Sequence, residues 1–215
     1  LFSLHDYNED ILIKRIEKYQ QNSSIALISD AGSPLISDPG YNLVIDYINK
    51  NLMVTTVPGP SSIIAALQLS GLPIHNFKFF GFVSKNQSVA ETLVNNIKEL
   101  DTTAVLFISG VRLLNFLETL LKKEMTQSIS VCKELTKKNE KVFRGKAKQI
   151  IEEILIDKKT IKGEFIIVIE GIGKKSQKNL NPETKKQMIK LLKKFSLTEV
   201  VEMVHKISGI SKKDI

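Results

Sequence analysis

One loop determines how this chain is organised, and it reads Ser29-Asp30-Ala31-Gly32-Ser33-Pro34-Leu35-Ile36-Ser37-Asp38-Pro39-Gly40. The apolar run Ile25-Ala26-Leu27-Ile28 comes before it and has the length and composition of a buried strand. A helical pattern begins after it at Tyr41. In open α/β sheets, ligands bind where the strands end, because the carboxyl ends of the strands open onto a crevice. The loop is therefore either a ligand-binding loop or an ordinary turn between a strand and a helix.

The side chains of this loop suit a ligand that lies close to the backbone. Ala31 and Gly32 leave room beside the main chain. Asp30 and Ser33 supply short polar groups that can bond to a ligand or to the turn itself. If the loop binds a ligand, these four residues are the contacts that we predict.

A second loop of the same kind follows the apolar run 52–57, which predicts another strand. It reads Pro58-Gly59-Pro60-Ser61-Ser62 and precedes a helical run from Ile63 to Leu69. Ser61 suits the N-cap position, and a helix N-terminus beside Gly59 offers unpaired backbone N–H groups. Two successive strands that end in such loops indicate a binding site more specifically than either loop alone.

Composition indicates a soluble globular protein of 215 residues, of which 42% are hydrophobic and 25% are charged. The formal net charge of +8 suits a nucleic-acid partner, although a genome biased toward lysine codons would give the same charge. The single Cys132 excludes an internal disulfide and favours a cytoplasmic location. No apolar run reaches membrane-spanning length, and no His or Cys spacing suggests a metal ion. We therefore expect neither a membrane nor a metal as a partner.

Turn-forming residues at Gly71-Leu72-Pro73 mark a boundary between two domains. We predict an N-terminal α/β domain over 1–73, a second α/β domain over 74–172, and a linker with a helical tail over 173–215. Alternation of strands and helices predicts an α/β fold with mixed pairing in the second sheet. The predicted helices lie at 9–19, 41–50, 88–100, 111–123 and 150–156, and the further strands at 77–83, 103–109, 128–135, 142–144 and 164–170.

The tail begins with a Lys-rich linker over 173–180 and continues with helices over 182–195 and 197–207. Ser196 and Glu199 form a capping-box pattern at the start of the second helix. A third helix begins over 211–215. The arrangement resembles a helix-turn-helix, which docks on nucleic acid, and it is equally consistent with a plain helical appendage.

Nearly the whole chain resembles the ribosomal RNA small-subunit methyltransferase I family of the tetrapyrrole-methylase superfamily. The loop over 29–40 is the most specific part of this resemblance, because chance agreement over such a run is negligible. The other matching segments are Phe2 to Glu9, Val57 to Ser61, Gly71 to Pro73, Gly81-Phe82, Lys133 to Lys137, Arg144-Gly145, Lys162 to Phe165, and the tail from Ser196 to Ile215.

The resemblance implies a two-domain tetrapyrrole-methylase-like fold, with S-adenosylmethionine in the cleft between the domains and two copies forming a homodimer. It implies methyl transfer to the ribose 2′-hydroxyl of a cytidine in small-subunit ribosomal RNA, within the assembled subunit. Together with the two loops, it implies these cofactor contacts: Asp30, Ala31, Gly32, Ser33, Ile36, Gly59, Ser61, Ser62, Phe107, Ile108, Gly163, Glu164 and Phe165.

Two departures from the family pattern bear on activity. Family members carry an N-terminal strand with a Pro-Ile-Gly-Asn-like loop and then a Glu-Asp-Thr-Arg segment ahead of the point where this sequence starts, so we expect an incomplete N-terminal sheet. They also have Tyr-Glu-Ser-Pro-His-Arg where this chain has Phe107-Ile108-Ser109-Gly110-Val111-Arg112. Two alternatives therefore stay open: a methylase of a tetrapyrrole precursor, and a degenerate RNA-binding paralogue without catalytic activity.

Methyl transfer to a hydroxyl oxygen needs a group that accepts the hydroxyl proton. The candidate bases are His5 and Glu9 at the start of the first helix and Glu134 at a strand end. Planar guanidinium groups suit RNA phosphates, and lysine contacts them as a point charge. The candidates for phosphate contacts are Arg112, Lys137 and Arg144. Each of the candidate bases and phosphate contacts can instead be a helix cap, a strand-end residue or part of a surface ion pair.

Overall fold

A computed structural model describes residues 1–5, 7–20, 23–156, 161–172, 182–208 and 212. The helices are α1 (Glu9–Gln20), α2 (Tyr41–Asn49), α3 (Ser62–Ser70), α4 (Gln87–Lys98), α5 (Gly110–Lys122), α6 (Ala147–Ile156), α7 (Pro182–Leu191) and α8 (Leu197–Ser208). The strands are β1 (Phe77–Phe82), β2 (Thr103–Ser109), β3 (Ile129–Lys133), β4 (Lys141–Gly145) and β5 (Glu164–Ile169). Strands and helices alternate through the middle of the chain, which confirms the predicted α/β class.

In the described residues the strands form a five-stranded sheet in the order β1-β2-β5-β3-β4. The strands β1 and β2 are parallel, whereas β5 runs antiparallel to both of its neighbours. Ser109 at the end of β2 pairs with Glu164 at the start of β5, and Lys133 at the end of β3 pairs with Phe165. The last residues of β1, β2 and β3 therefore share one edge of the sheet with the first residues of β5. This edge is called the Ser109–Glu164 edge below.

Helices cover both faces of the sheet. On one face, α4, α5 and α6 bury side chains such as Val94, Leu117 and Ile150. Burial of one such aliphatic side chain contributes roughly 1.5–3 kcal/mol, so the apolar stabilisation of the chain is concentrated here. On the opposite face α3 packs across β5, β3 and β4. The buried residues of this second cluster are Ile63, Ala66, Leu67, Val105, Cys132, Ile166 and Val168.

Two smaller helical pairs complete the described structure. The first is α1 against α2, which bury Leu12, Ile16 and Leu43 between them. Leu12 and Ile16 lie four residues apart, which is one helical turn, so both point to the same side of α1. The second pair is α7 against α8, with a small core around Met188 and Val200.

The predicted capping box at the start of α8 is confirmed. The backbone N–H of Ser196 donates to Glu199 Oε2 at 2.9 Å, and the backbone N–H of Glu199 donates to Ser196 Oγ at 3.4 Å. The helix before it, α7, ends at Leu191 rather than at 195, and turns follow. The predicted linker over 173–180 and the predicted third helix over 211–215, apart from Lys212, lie outside the described residues.

The strands predicted at 25–28 and 52–57 are wrong. Neither run forms a strand, and no described segment pairs with either of them. Isolated extended backbone has no ladder to satisfy its N–H and C=O groups, so an apolar run alone does not make a strand. The side chains are also largely open to solvent, with Ile28 71% and Val57 88% exposed. Both runs are apolar, but a strand also needs a neighbour with which to pair.

Candidate functional site

The two glycine-containing loops meet in the folded chain. Ser33 Oγ donates to the carbonyl oxygen of Pro60 at 3.4 Å, which joins the loop over 29–40 to the loop over 57–62. Within the first loop, Ser29 Oγ lies 2.6 Å from Asp38 Oδ2 and therefore holds the two ends of the loop together. The juxtaposition that the sequence predicts is present, although the strands that were expected to cause it are not.

Space remains open beside these loops. Gly32 has a φ of +77°, and an added Cβ there would meet no atom within 4 Å. A Cβ at Gly59 would have only the carbonyl oxygen of Val57 nearby, at 3.9 Å. The backbone of both loops is therefore accessible to a ligand. The side chains of Asp30, Ala31, Ile36 and Ser62 are exposed, and those of Ser33 and Ser61 are half-buried.

The N-terminus of α3 has unused hydrogen-bonding groups. Ser61 stands at the N-cap position with extended backbone, but its side chain makes no capping hydrogen bond. The first N–H groups of a helix have no partner inside the helix, and they favour negatively charged or acceptor atoms. Ser61 and the following Ser62 can therefore offer hydroxyl and amide hydrogens to a ligand held in the loops.

Aromatic side chains line the face of the sheet that α3 covers, close to the Ser109–Glu164 edge. The ring centroid of Phe107 lies 4.9 Å from that of Phe79 and 5.1 Å from that of Phe82. Phe79 and Phe82 reach the same ring because the register of β1 shifts between them, where Gly81 has a φ of +71°. The sequence analysis does not predict Phe79 or Phe82 as site residues. A glycine inside a strand is the signal that would have found them, since it often marks a bulge.

The side chains of two predicted cofactor contacts lie in the hydrophobic core. Ile108 and Phe165 pair with each other across β2 and β5, and both side chains are buried against α5 and α6. Neighbouring residues on a strand point to opposite faces, so the face that exposes Phe107 necessarily buries Ile108. Only the backbone of these two residues is available near the edge. Cofactor contact at both positions stays a prediction, and it would be made by the backbone.

Glu134 is tied into the Ser109–Glu164 edge. Its Oε1 accepts the backbone N–H of Glu164 at 2.8 Å and Lys137 Nζ at 3.3 Å. A Cβ at Gly163 would lie 2.7 Å from the same oxygen, so only glycine allows this close approach. The hydrogen bond from Glu164, followed by the contact with Lys137, lowers the pKa of Glu134 below its ordinary value. A lowered pKa makes this carboxylate a poorer proton acceptor.

Glu9 is a buried structural carboxylate. Only 8% of it is exposed, and Oε1 accepts the backbone N–H of Asn42 at 3.1 Å while Oε2 accepts its side-chain amide at 2.9 Å. Glu9 thereby caps the first turn of α2, which directly follows Gly40 at the end of the first loop. The start of α1 is consequently held beside that loop. His5 lies just before α1 and is exposed, and its imidazole has no hydrogen-bond partner in the described part of the chain.

The three predicted phosphate contacts all bond within the protein. Arg112 donates from Nε to Ser109 Oγ at 2.9 Å and from Nη1 to the carbonyl oxygen of Val83. Lys137 Nζ contacts the carboxylates of Glu164 and Glu134, and these contacts, that with Glu164 first, raise the pKa of the lysine. Arg144 donates to the carbonyl oxygen of Leu69. The hydrogen bonds and ion pairs of these three side chains therefore connect different elements of the chain.

One cavity lies away from both loops. It has a volume of about 590 Å³, and its polar lining includes His75, Asn76, Asp101, Gln127 and Glu170. None of the residues that the sequence singles out for catalysis or cofactor binding lines it. Within the described ranges, no cluster of His, Cys, Asp and Glu could hold a metal ion, and no helix is long and apolar enough to cross a bilayer.

Comparison with known proteins shows the family to which this chain belongs. The family described as tetrapyrrole (corrin/porphyrin) methylases matches residues 3–151. A ribosomal RNA small subunit methyltransferase I from Halalkalibacterium halodurans is 33% identical over 222 residues, which cover 100% of this chain and 76% of the relative. The chain belongs to the ribosomal RNA small subunit methyltransferase I family of tetrapyrrole methylases. The relative of the same name from Haemophilus influenzae is 34% identical, over 98% of this chain and 76% of its own length.

Membership of this family confirms the resemblance read from the sequence, including the fold class and the methyltransferase activity. The relative from Rickettsia prowazekii is 38% identical and covers 89% of this chain, with 68% of its own length matched. Among solved structures, diphthine synthase has a TM-score of 0.56 at 17% identity, over 77% of this chain and 65% of that chain. This likeness supports the fold alone.

Proposed function

We propose that this chain transfers a methyl group from S-adenosylmethionine to the ribose 2′-hydroxyl of a cytidine in small-subunit ribosomal RNA. The observation that carries the proposal is the meeting of two glycine loops that leave the backbone open at Gly32 and Gly59. The names of the relatives, all ribosomal RNA small subunit methyltransferase I, supply the substrate class. As the family resemblance implies, the chain acts as a cytoplasmic homodimer on the assembled small subunit.

The residues at the two loops suit an adenosyl sulfonium ligand. The exposed backbone at Gly32 and Gly59 admits a flat ring or a ribose, and Ser33, Ser61 and Ser62 offer hydroxyl groups for polar atoms. Phe107, Gly163 and Glu164 would contact the ligand from the Ser109–Glu164 edge. When bound, S-adenosylmethionine would supply a methyl group on a positively charged sulfur. This sulfur is a good leaving group because it departs as a neutral thioether. Holding it beside the hydroxyl would provide most of the rate enhancement, because orientation contributes roughly 7–11 kcal/mol in favourable cases.

His5 is the proposed proton acceptor. Glu9 caps α2 and Glu134 is tied to Glu164, so both carboxylates already have structural hydrogen bonds. His5 lies four residues before Glu9, whose contact with Asn42 joins the start of α1 to the start of α2, and the imidazole of His5 is exposed. In the proposed reaction His5 takes the proton of the 2′-hydroxyl while the oxygen gains the methyl group.

The experiment is methylation of small subunits from a strain that lacks this gene, followed by mapping of 2′-O-methyl groups by primer extension. We expect one new stop at a cytidine with the wild-type protein and none with Gly32→Trp, which fills the first loop. Transfer to a tetrapyrrole precursor instead of RNA would contradict the proposed substrate. Cofactor binding without transfer to either substrate would contradict the proposed activity and favour a degenerate paralogue.

A further inference from the structure

A stripe of lysines runs along α7 and the turn after it. Lys186, Lys190, Lys193 and Lys194 occupy positions i, i+4, i+7 and i+8, which place them on one side of a helix. The turn after Leu191 continues the helical path, because the backbone N–H of Phe195 still donates to the carbonyl oxygen of Leu191. All four lysines are exposed. They form a continuous basic surface, here called the α7 lysine stripe.

Among the side chains that the structure describes, none neutralises the charges of the α7 lysine stripe. In the described part of the chain, no carboxylate lies within 4.0 Å of any of the four ammonium groups. The lysines of the neighbouring segment behave differently, since Lys206 and Lys212 lie 3.8 Å and 3.7 Å from Glu202. Like charges on adjacent turns repel one another. An anionic partner that contacts several of these lysines would relieve the repulsion between them.

The other side of α7 is occupied. Met188 and Leu191 pack against Val200 and Val204 of α8. A helix that inserts into a membrane surface needs its apolar face free for the lipid. Met188 and Leu191 are used in the core of the helical pair, so the apolar side chains left exposed beside the lysines are Ile189, Leu192 and Phe195. The four exposed lysines are complementary in charge to a nucleic-acid backbone.

We infer that the α7 lysine stripe binds the phosphate backbone of RNA without reading its sequence. The inference rests on the proposed function, which makes RNA the substrate, and it adds a docking surface outside the two loops and the Ser109–Glu164 edge. Lysines that contact phosphates release counterions, so binding weakens as salt rises, with a slope of about −0.7 per phosphate for a single strand. A docking surface on the same chain as the active site raises the local concentration of substrate there.

The test compares three variants of the full chain. The first changes Lys186, Lys190 and Lys194 to Gln, and the second changes the same residues to Arg. The matched control is Lys14→Gln, Lys122→Gln and Lys148→Gln, which removes three exposed charges from α1, α5 and α6. Binding to a poly(U) strand of 20 nucleotides is measured by fluorescence anisotropy between 50 and 300 mM salt, and helix content is checked by circular dichroism.

We expect the first variant to bind poly(U) at least about tenfold more weakly at 100 mM salt, with a salt slope smaller by about 2. The Arg variant should bind like the wild type, since it keeps the charges. Equal losses in the first variant and the control would overturn the inference, because they would reflect net charge alone. So would unchanged poly(U) binding, or binding of vesicles of phosphatidylserine in place of RNA. The proposed function fails separately, if the wild type binds poly(U) but methylates no small-subunit RNA.

Discussion

The guanidinium group of Arg144 donates two hydrogen bonds to the carbonyl oxygen of Leu69, 3.0 Å from Nε. Arg144 lies at the end of β4, and Leu69 lies in the last turn of α3. The last carbonyl groups of a helix have no partner inside the helix and carry partial negative charge, so a cation is favourable there. This contact fixes the C-terminal end of α3, whose N-terminal end carries Ser61 and Ser62 at the candidate site.

Replacing Arg144 with Met should therefore destabilise the fold. We expect a loss of about 1 kcal/mol in the free energy of unfolding, since the bond is charge-assisted but exposed. Urea denaturation measures the loss. Arg144→Lys keeps the charge without the planar fork and should recover part of it. If Arg144 instead contacts RNA phosphates, Arg144→Met would weaken RNA binding and leave stability unchanged.

Glu9→Gln should lower the free energy of unfolding by more than Arg144→Met does. The substitution places an amide hydrogen where the carboxylate now accepts the N–H groups of Asn42, and buried donors left without acceptors cost about 1–3 kcal/mol. The control on the same helix is Glu17→Gln, which removes only an exposed ion pair with Lys50 and should change stability by less than about 1 kcal/mol. A Glu9→Gln protein of normal stability with no activity would identify Glu9 as the catalytic base and contradict its capping role.

Glu134 gives a pH-dependent contribution to stability. Its pKa is lower in the folded chain than in the unfolded one, so the ionised carboxylate stabilises the fold above the pH at which an unfolded Glu titrates, about 4.3. This stabilisation is lost as the pH falls through the lower folded value. Glu134→Gln should therefore be less stable than the wild type at pH 7, and the difference should shrink at pH 3. Glu153→Gln, which removes an exposed pair with Lys141, is the control. An equal difference at both pH values would refute the account.

His5→Gln tests the proposed proton acceptor. General-base catalysis typically contributes about 10²- to 10⁴-fold, so we expect kcat to fall by that range while KM for the cofactor stays the same. His75→Gln changes the histidine that lines the cavity away from the loops and should leave kcat unaltered. Unchanged kcat in His5→Gln would exclude the histidine as the base and return the role to a carboxylate.

Local patterns in the sequence predicted the elements well where the interactions are local. The capping box of Ser196 with Glu199 depends on residues three apart, and strand β2 agrees with its predicted bounds of Thr103 and Ser109. The strands expected at 25–28 and 52–57 failed because a strand depends on a distant partner that no local pattern reveals. The prediction that the second sheet has mixed pairing is confirmed. The domain boundary near 73 stays a prediction.

The candidate site was also predictable only where local sequence determines the structure. The glycines of the two loops were recognisable, because glycine is the usual residue where the backbone turns tightly or lies close to a ligand. What the charged residues contact could not be read from the sequence. From its sequence context Arg144 could contact a phosphate or a helix end equally well, and only the structure shows that it lies beside the carbonyl oxygen of Leu69. Ile108 and Phe165 were predicted as contacts by family resemblance, which does not say which face of the strand each side chain occupies.

The most direct measurement is calorimetric titration of S-adenosylmethionine into the wild type, Gly32→Trp and Gly71→Trp. Gly71 has a φ of +71° and open surroundings like those of Gly32, at +77°, so both variants strain the backbone alike and only Gly32→Trp fills the loop. The account predicts binding to the wild type and to Gly71→Trp, and no measurable heat with Gly32→Trp. Equal affinity for all three proteins would contradict the assignment of the two glycine loops as the cofactor site.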